Sequence, residues 1–149
     1  MAHADLAGWI ERHKDKLTSR WIDAVRADVR IQSDADLSDE GLRNHIPAVI
    51  EEVCELLRSA TPPTISNTQE ARVHAYIRFR QGYRVRDLVR EISLLRLLLL
   101  DHLAQSLFEE SLNVATESFV TAMRLIDAYI DEEISYAVSV YTETMKPHE

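Results

Sequence analysis

The sequence predicts an all-α fold: a single-domain helical bundle of about five main helices, closed by a long C-terminal helix. Three observations carry this. Apolar residues recur at spacings of three and four along most of the chain, the period of a helix with one buried face. Only three Gly and four Pro occur in 149 residues, too few turn-formers for a sandwich that turns about every ten residues. No stretch alternates apolar and polar residues as a half-buried strand does. At 46% apolar residues the chain can bury one sizeable core, so residues 1–149 read as one domain. A globin-like arrangement is one form a bundle of this length takes.

Residues 4–30 read as the first helix, with Leu6, Trp9/Ile10, His13, Leu17, Trp21/Ile22, Val25 and Val29 on one face. Ser38 is suited to cap a second, short helix, and Asp39 and Glu40 suit its first-turn dipole. Pro47 lacks an amide donor, so that helix is expected to end near His45 and another to start at Pro47. This next helix runs to about Ser59 through Val49/Ile50, Val53/Cys54 and Leu56/Leu57. Thr61-Pro-Pro-Thr64 is a linker, because two prolines cannot continue a helix. Asn67 with Glu70 resembles a capping box. The helix that follows is expected to carry Ala71, Val73, Tyr76/Ile77 and Phe79, and to stop at Gly82. From Arg84 or Val85 to about Phe108 runs a strongly apolar helix, with Leu88, Ile92, Leu95, Leu98/Leu99 and Leu103 facing inward. The last helix spans about 114–145, on the order of 48 Å at the helical rise.

Composition excludes several functions. Lys and Arg number 17 against 25 Asp and Glu, a net charge of −8, which disfavours nucleic-acid binding over a broad face. The single cysteine, Cys54, rules out an internal disulfide framework and fits a reducing cytosol. The most apolar run, residues 92–100, is interrupted by Arg96 and is too short for a membrane span. The N-terminus lacks the apolar core of a signal peptide. A cytoplasmic location is therefore expected. Residues 72–96 hold seven Arg and two acids, whereas residues 97–149 hold two basic residues and ten acids. Pairing of the arginine face with the acidic C-terminal helix explains this more simply than a docking surface does.

Candidate chemistry is sparse. No Glu-x-x-His ligand pair for a di-iron bundle occurs. Glu70 and His74, four apart, are expected to share a surface hydrogen bond. No nucleophile elbow or Gly-rich phosphate loop is present, and His45 lacks a phosphotransfer context. No catalytic residue and no metal site is assigned. The candidate haem ligands are His74 and His102, each on or beside an apolar helix face. Glu91 falls three residues after Leu88 and four before Leu95, so it points near the core stripe. A carboxylate placed there needs a donor. His74, Arg78 and Gln81 share a face of the preceding helix, and with Tyr83, Glu91 and Arg96 they form the expected polar cluster or signal pocket. Glu91 is expected to contact Arg78, His74 or the backbone near Gly82, stapling two helices.

The stretch His74-Ala-Tyr-Ile-Arg78-Phe-Arg-Gln-Gly-Tyr83, continued by Asp87-Leu-Val-Arg-Glu91-Ile-Ser-Leu-Leu-Arg96, resembles a known family. Trp21, Leu37-Ser-Asp-Glu with Leu42, and His45-Ile-Pro47 add to the likeness. The family is the N-terminal domain of RsbT co-antagonist proteins of the RsbRD type, also found ahead of bacterial histidine kinase cores. The resemblance implies a non-enzymatic sensory or regulatory input domain that relays a signal to a downstream output domain or partner protein. It transfers no ligand. The alternatives are a haem-binding globin-like sensor and a purely structural dimerisation module. Along the last helix Ile126, Ile130, Ile134, Val138, Tyr141 and Met145 form an apolar stripe. An uncovered stripe is a liability, so a parallel homodimer through it is expected; cover by the first helix is the alternative.

Overall fold

The computed structural model describes residues 2–109 and 112–144. Every regular element among them is helical: α1 (Ala2–Arg12), α2 (Lys14–Ala27), α3 (Asp39–Arg43), α4 (Ile46–Ser59), α5 (Gln69–Arg80), α6 (Val85–Gln105) with a 3-10 turn at Ser106–Phe108, and α7 (Thr116–Thr144). Helices α6 and α7 pack along each other. α5 lies against α7, α2 against α6, and α1 against α4. One apolar core runs through all of them, from Leu6 and Ile10 through Trp21, Ile50 and Leu57 to Leu95, Leu99, Ile126 and Ile130.

The first helix is two. The apolar spacing runs on unbroken, but the backbone departs from helical at His13, with φ −108° and ψ 15°. The His13 ring answers the Trp9 carbonyl at 2.8 Å, occupying an acceptor near the break. Val29 lies beyond the end of α2 and is 90% exposed, so it does not extend the buried face.

Ser38 caps α3 as expected, its hydroxyl accepting from the Gly41 amide at 3.0 Å. Pro47 occupies the first turn of α4, where its missing donor costs nothing. α4 ends at Ala60 in the left-handed conformation (φ 50°), directly ahead of the proline linker.

Asn67 and Glu70 do not form a capping box. The Asn67 side chain folds back onto the linker, accepting from the Thr64 amide and donating to the Pro62 carbonyl. The amides of Glu70 and Ala71 are instead met by Glu52 of α4, at 2.9 and 3.3 Å. The Tyr129 hydroxyl donates to the same Glu52 oxygen at 2.7 Å, so one carboxylate ties α4, α5 and α7 together. Gly82 (φ 82°) makes the left-handed turn after α5.

The inward face of α5 differs from expectation. Ala71, His74, Ala75 and Arg78 are buried, while Val73 and Tyr76 are 41% and 48% exposed. Polar residues face the core here because two carboxylates await them there.

The C-terminal stripe is covered within the chain. Ile126, Ile130 and Ala137 are fully buried and Tyr141 nearly so; Ile134 is partly buried against the core. Only Val138, at 45%, stands exposed. α5 and α6 supply most of the cover, with α1 and α4 adding less, so these residues do not form an open seam for a second copy. Met145 lies outside the described residues.

Candidate functional site: a buried ionic cluster

Four ionisable side chains meet in the core with no exposure above 1%: His74 and Arg78 of α5, Glu91 of α6 and Glu133 of α7. The one-turn spacing of His74 and Arg78 puts both on the buried face, and the small neighbours Ala71 and Ala75 leave room for them. His74 Nδ1 lies 2.6 Å from Glu133 Oε2 and its Nε2 lies 3.1 Å from Glu91 Oε1. Arg78 Nε donates to the same Glu91 oxygen at 2.7 Å. The rest of the guanidinium donates to Gln81 Oε1 at 2.7 Å and to the Gly41 and Leu42 carbonyls of α3. Five of the seven helices are drawn in, because Trp21 of α2 also donates from Nε1 to the Glu91 carbonyl at 3.1 Å.

This geometry favours the doubly protonated ring where both carboxyl groups are ionised. A neutral imidazole carries one N–H and one bare nitrogen, so one of its nitrogens would face a carboxylate oxygen lone pair to lone pair. Both nitrogens face carboxylates, hence the imidazolium is the form that satisfies the site. Burial alone would lower the His74 pKa, but the charge and hydrogen bond of Glu133, and then those of Glu91, outweigh it and raise it to about 9. Burial would likewise raise the Glu91 carboxyl. Hydrogen bonding from His74 and the charge of Arg78 hold it below the ordinary carboxylate range instead. Two basic side chains are thus matched by two carboxyl groups within the core.

The remaining predicted residues divide. Tyr83 is buried under the cluster, with the Arg78 guanidinium carbon 5.1 Å from its ring centre. Tyr141 donates to the Tyr83 carbonyl at 2.6 Å, fastening the far part of α7 to the α5–α6 turn. Arg96 stands apart, more than a turn from Glu91 and 3.7 Å from Asp131. The expected Glu70–His74 bond is absent, since Glu70 pairs with His45. Glu133 was missed as a member, although it falls three residues after Ile130 and four before Ala137, on the stripe itself. The arginine segment pairs with α7 only in part: Arg72 meets Glu132 and Arg96 meets Asp131, but Arg84 and Arg90 go to Asp87 and Asp28.

Three buried oxygens in or beside the cluster make no well-formed hydrogen bond: Glu91 Oε2, Glu133 Oε1 and the Tyr83 hydroxyl, the last of which lies close enough to Glu91 to feel its charge. They concentrate at the contact of α5, α6 and α7, where the packing is electrostatically least satisfied. The cluster itself is closed. The acidic cleft of about 440 Å³ lies beside Glu51, Glu52, Glu55 and Glu70, and a cavity of about 130 Å³ lies beside His13 and His102.

Both candidate haem ligands are engaged within the fold. Both ring nitrogens of His74 are engaged. The His102 ring lies flat on Trp9, with centroids 4.7 Å apart. The cavity beside it is about 130 Å³, against the roughly 300–1,000 Å³ of pockets that enclose drug-sized ligands. Among the described residues no group of three or more His, Cys, Asp or Glu side chains is placed to hold a metal ion, and no helix is long and apolar enough to cross a membrane. The Cys54 thiol is pushed up to about 12, by burial first, and is not a ready nucleophile.

Neither a curated protein nor a solved structure matches the chain. The model of one family does, that of the RsbT co-antagonist protein rsbRD N-terminal domain, over residues 15–146. That span takes in all four members of the buried cluster and the helices that carry them. The chain therefore belongs to the RsbT co-antagonist rsbRD N-terminal domain family, a family of regulatory domains of the stress response.

Proposed function

We propose that this chain is a non-catalytic input domain of a bacterial signal-transduction protein, and that it relays a signal to an output domain or partner through α7. The observation that carries the reading is the ionic contact of α7 with the core. Glu133 is held by a single charged partner, His74, and keeps one oxygen unpaired. A helix tied down by one buried ion pair has a specific point of release: lose the charge on His74, and an uncompensated carboxylate is left in the core. Tyr141 and Glu52 then hold α7 at either side of that point. The family's name supplies the context, regulation of an RsbT-type partner, and the cytosol is the compartment this reading implies.

The test is a domain exchange. This chain replaces the N-terminal domain of an RsbT co-antagonist, and stress-response output is read in cells beside a Glu133→Gln version. The exchange should keep output responsive to stress, and Glu133→Gln should hold output at one level while the purified domain keeps its helical circular dichroism. Output indifferent to the domain would contradict a regulatory role. Normal response with Glu133→Gln would contradict relay through α7.

A further inference from the structure

Helix α6 has two apolar faces, and the fold buries one of them. Leu88, Ile92, Leu95, Leu99 and Leu103 face the core. On the opposite side Ser93, Leu97, Leu100 and Ala104 follow at steps of four, three and four, and Leu107 of the 3-10 turn adds a further step of three. This outer run extends about 21 Å at the helical rise, and none of its residues is charged. Leu97 is 53% exposed and Leu107 50%, while Ser93, Leu100 and Ala104 are partly exposed. Alternating steps of four and three are the repeat of a seam between two paired helices.

Charge on the two flanks indicates what pairs with it. Arg96 stands on the flank beside α7, 3.7 Å from an Asp131 side chain that is itself 73% exposed. Asp101 stands on the other flank, exposed and without an ion pair among the described residues. The two lie five residues apart. When two helices pair in parallel, a residue on one flank meets the residue five places further along on the facing flank of its neighbour. Arg96 of each copy then meets the partner's Asp101, and two-fold symmetry makes both pairs at once. An antiparallel pair sets each flank against its own copy, so that like charges meet.

We propose that the outer face of α6 docks a second copy of this chain, in a parallel homodimer whose seam is Ser93, Leu97, Leu100, Ala104 and Leu107. Leu97 and Leu100 fill the centre of the seam, and the small Ser93 and Ala104 let the two backbones approach. The outer face of α7 is mostly polar, with Arg124, Asp131, Ser135 and Thr142 exposed, so the copies meet through α6 instead. Because α7 packs along α6, the pair carries both copies of α7 in one direction.

The test is sedimentation velocity of the whole chain from about 1 to about 200 µM, where so short a seam should give a monomer–dimer equilibrium with a Kd on the order of 10 µM. Leu97→Glu should weaken it at least about tenfold with the helical circular dichroism kept. Val138→Glu, at a similarly exposed position on α7, should leave it unchanged. Asp101→Arg should also weaken the dimer, and adding Arg96→Asp should restore it, because the exchanged charges pair again. Oxidation of a Leu107→Cys variant should trap a covalent dimer, since parallel helices bring this position against itself, whereas the buried Cys54 of the unaltered chain should trap none. A chain that stays monomeric throughout would overturn the proposal, as would a dimer indifferent to Leu97→Glu. A dimer that fails either the charge exchange or the Leu107→Cys capture would overturn the parallel pairing.

Discussion

At the scale of single residues, Glu91 does the most. One of its oxygens serves both His74 and Arg78, and its backbone carbonyl receives Trp21. Glu91→Leu would leave the Arg78 Nε–H and one His74 N–H unpaired in the core, with the cluster carrying an excess positive charge. Removing one partner from a buried ion pair costs about 3–5 kcal/mol, and urea unfolding should show a loss of that size. An unchanged midpoint would mean the cluster contributes nothing to the fold. The spacing of Glu91 within a leucine stripe made its burial legible in advance, and the need of a buried carboxylate for a donor pointed to His74 and Arg78. Glu133 followed the same logic but sits within the acidic run Asp131-Glu-Glu133, which reads as a solvated face unless the helical period is followed residue by residue. Arg96 lies five residues beyond Glu91, a spacing that does not return to the same helix face, and it meets Asp131 instead.

At the scale of elements, α6 and α5 mark what a pattern can reveal. Leu88, Ile92, Leu95, Leu99 and Leu103 are all buried, since a stripe that apolar has only one way to face. α5 carries apolar residues on more than one side, and Tyr76 and Val73 could have faced the core as easily as His74 and Arg78. What settled the choice lies in other helices, in Glu91 and Glu133, so no local reading of α5 could have found it. The break at His13 was hidden for a related reason: one non-helical residue leaves the apolar spacing almost intact. The stop at Gly82 was legible because few residues other than glycine adopt its φ of 82°. An added Cβ at Gly82 would meet nothing within 4 Å, so Gly82→Ala isolates backbone strain. Its expected cost is about 1 kcal/mol in thermal or urea unfolding. A much larger loss would mean that the turn also sets the geometry of Tyr83 and the cluster beneath it.

At the scale of the whole molecule, the ionic cluster makes stability depend on pH. His74 titrates near 6.5 when unfolded and near 9 when folded. Its folded value is raised, so its contribution is complete below about 6.5 and is lost as pH climbs through about 9. The unfolding free energy should therefore decline between those values, by on the order of 3 kcal/mol at most. His74→Gln should flatten that slope while lowering stability at neutral pH. The same loss of charge would loosen α7 at Glu133, joining the stability of the domain to the helix proposed to carry its output. The central claim, that a charged His74 bridges two buried carboxylates, is tested most directly by the nitrogen-15 chemical shifts of its imidazole at pH 7.5. Two protonated, pyrrole-like nitrogens, persisting until the pH nears 9, are the result expected. One bare nitrogen at neutral pH would contradict it.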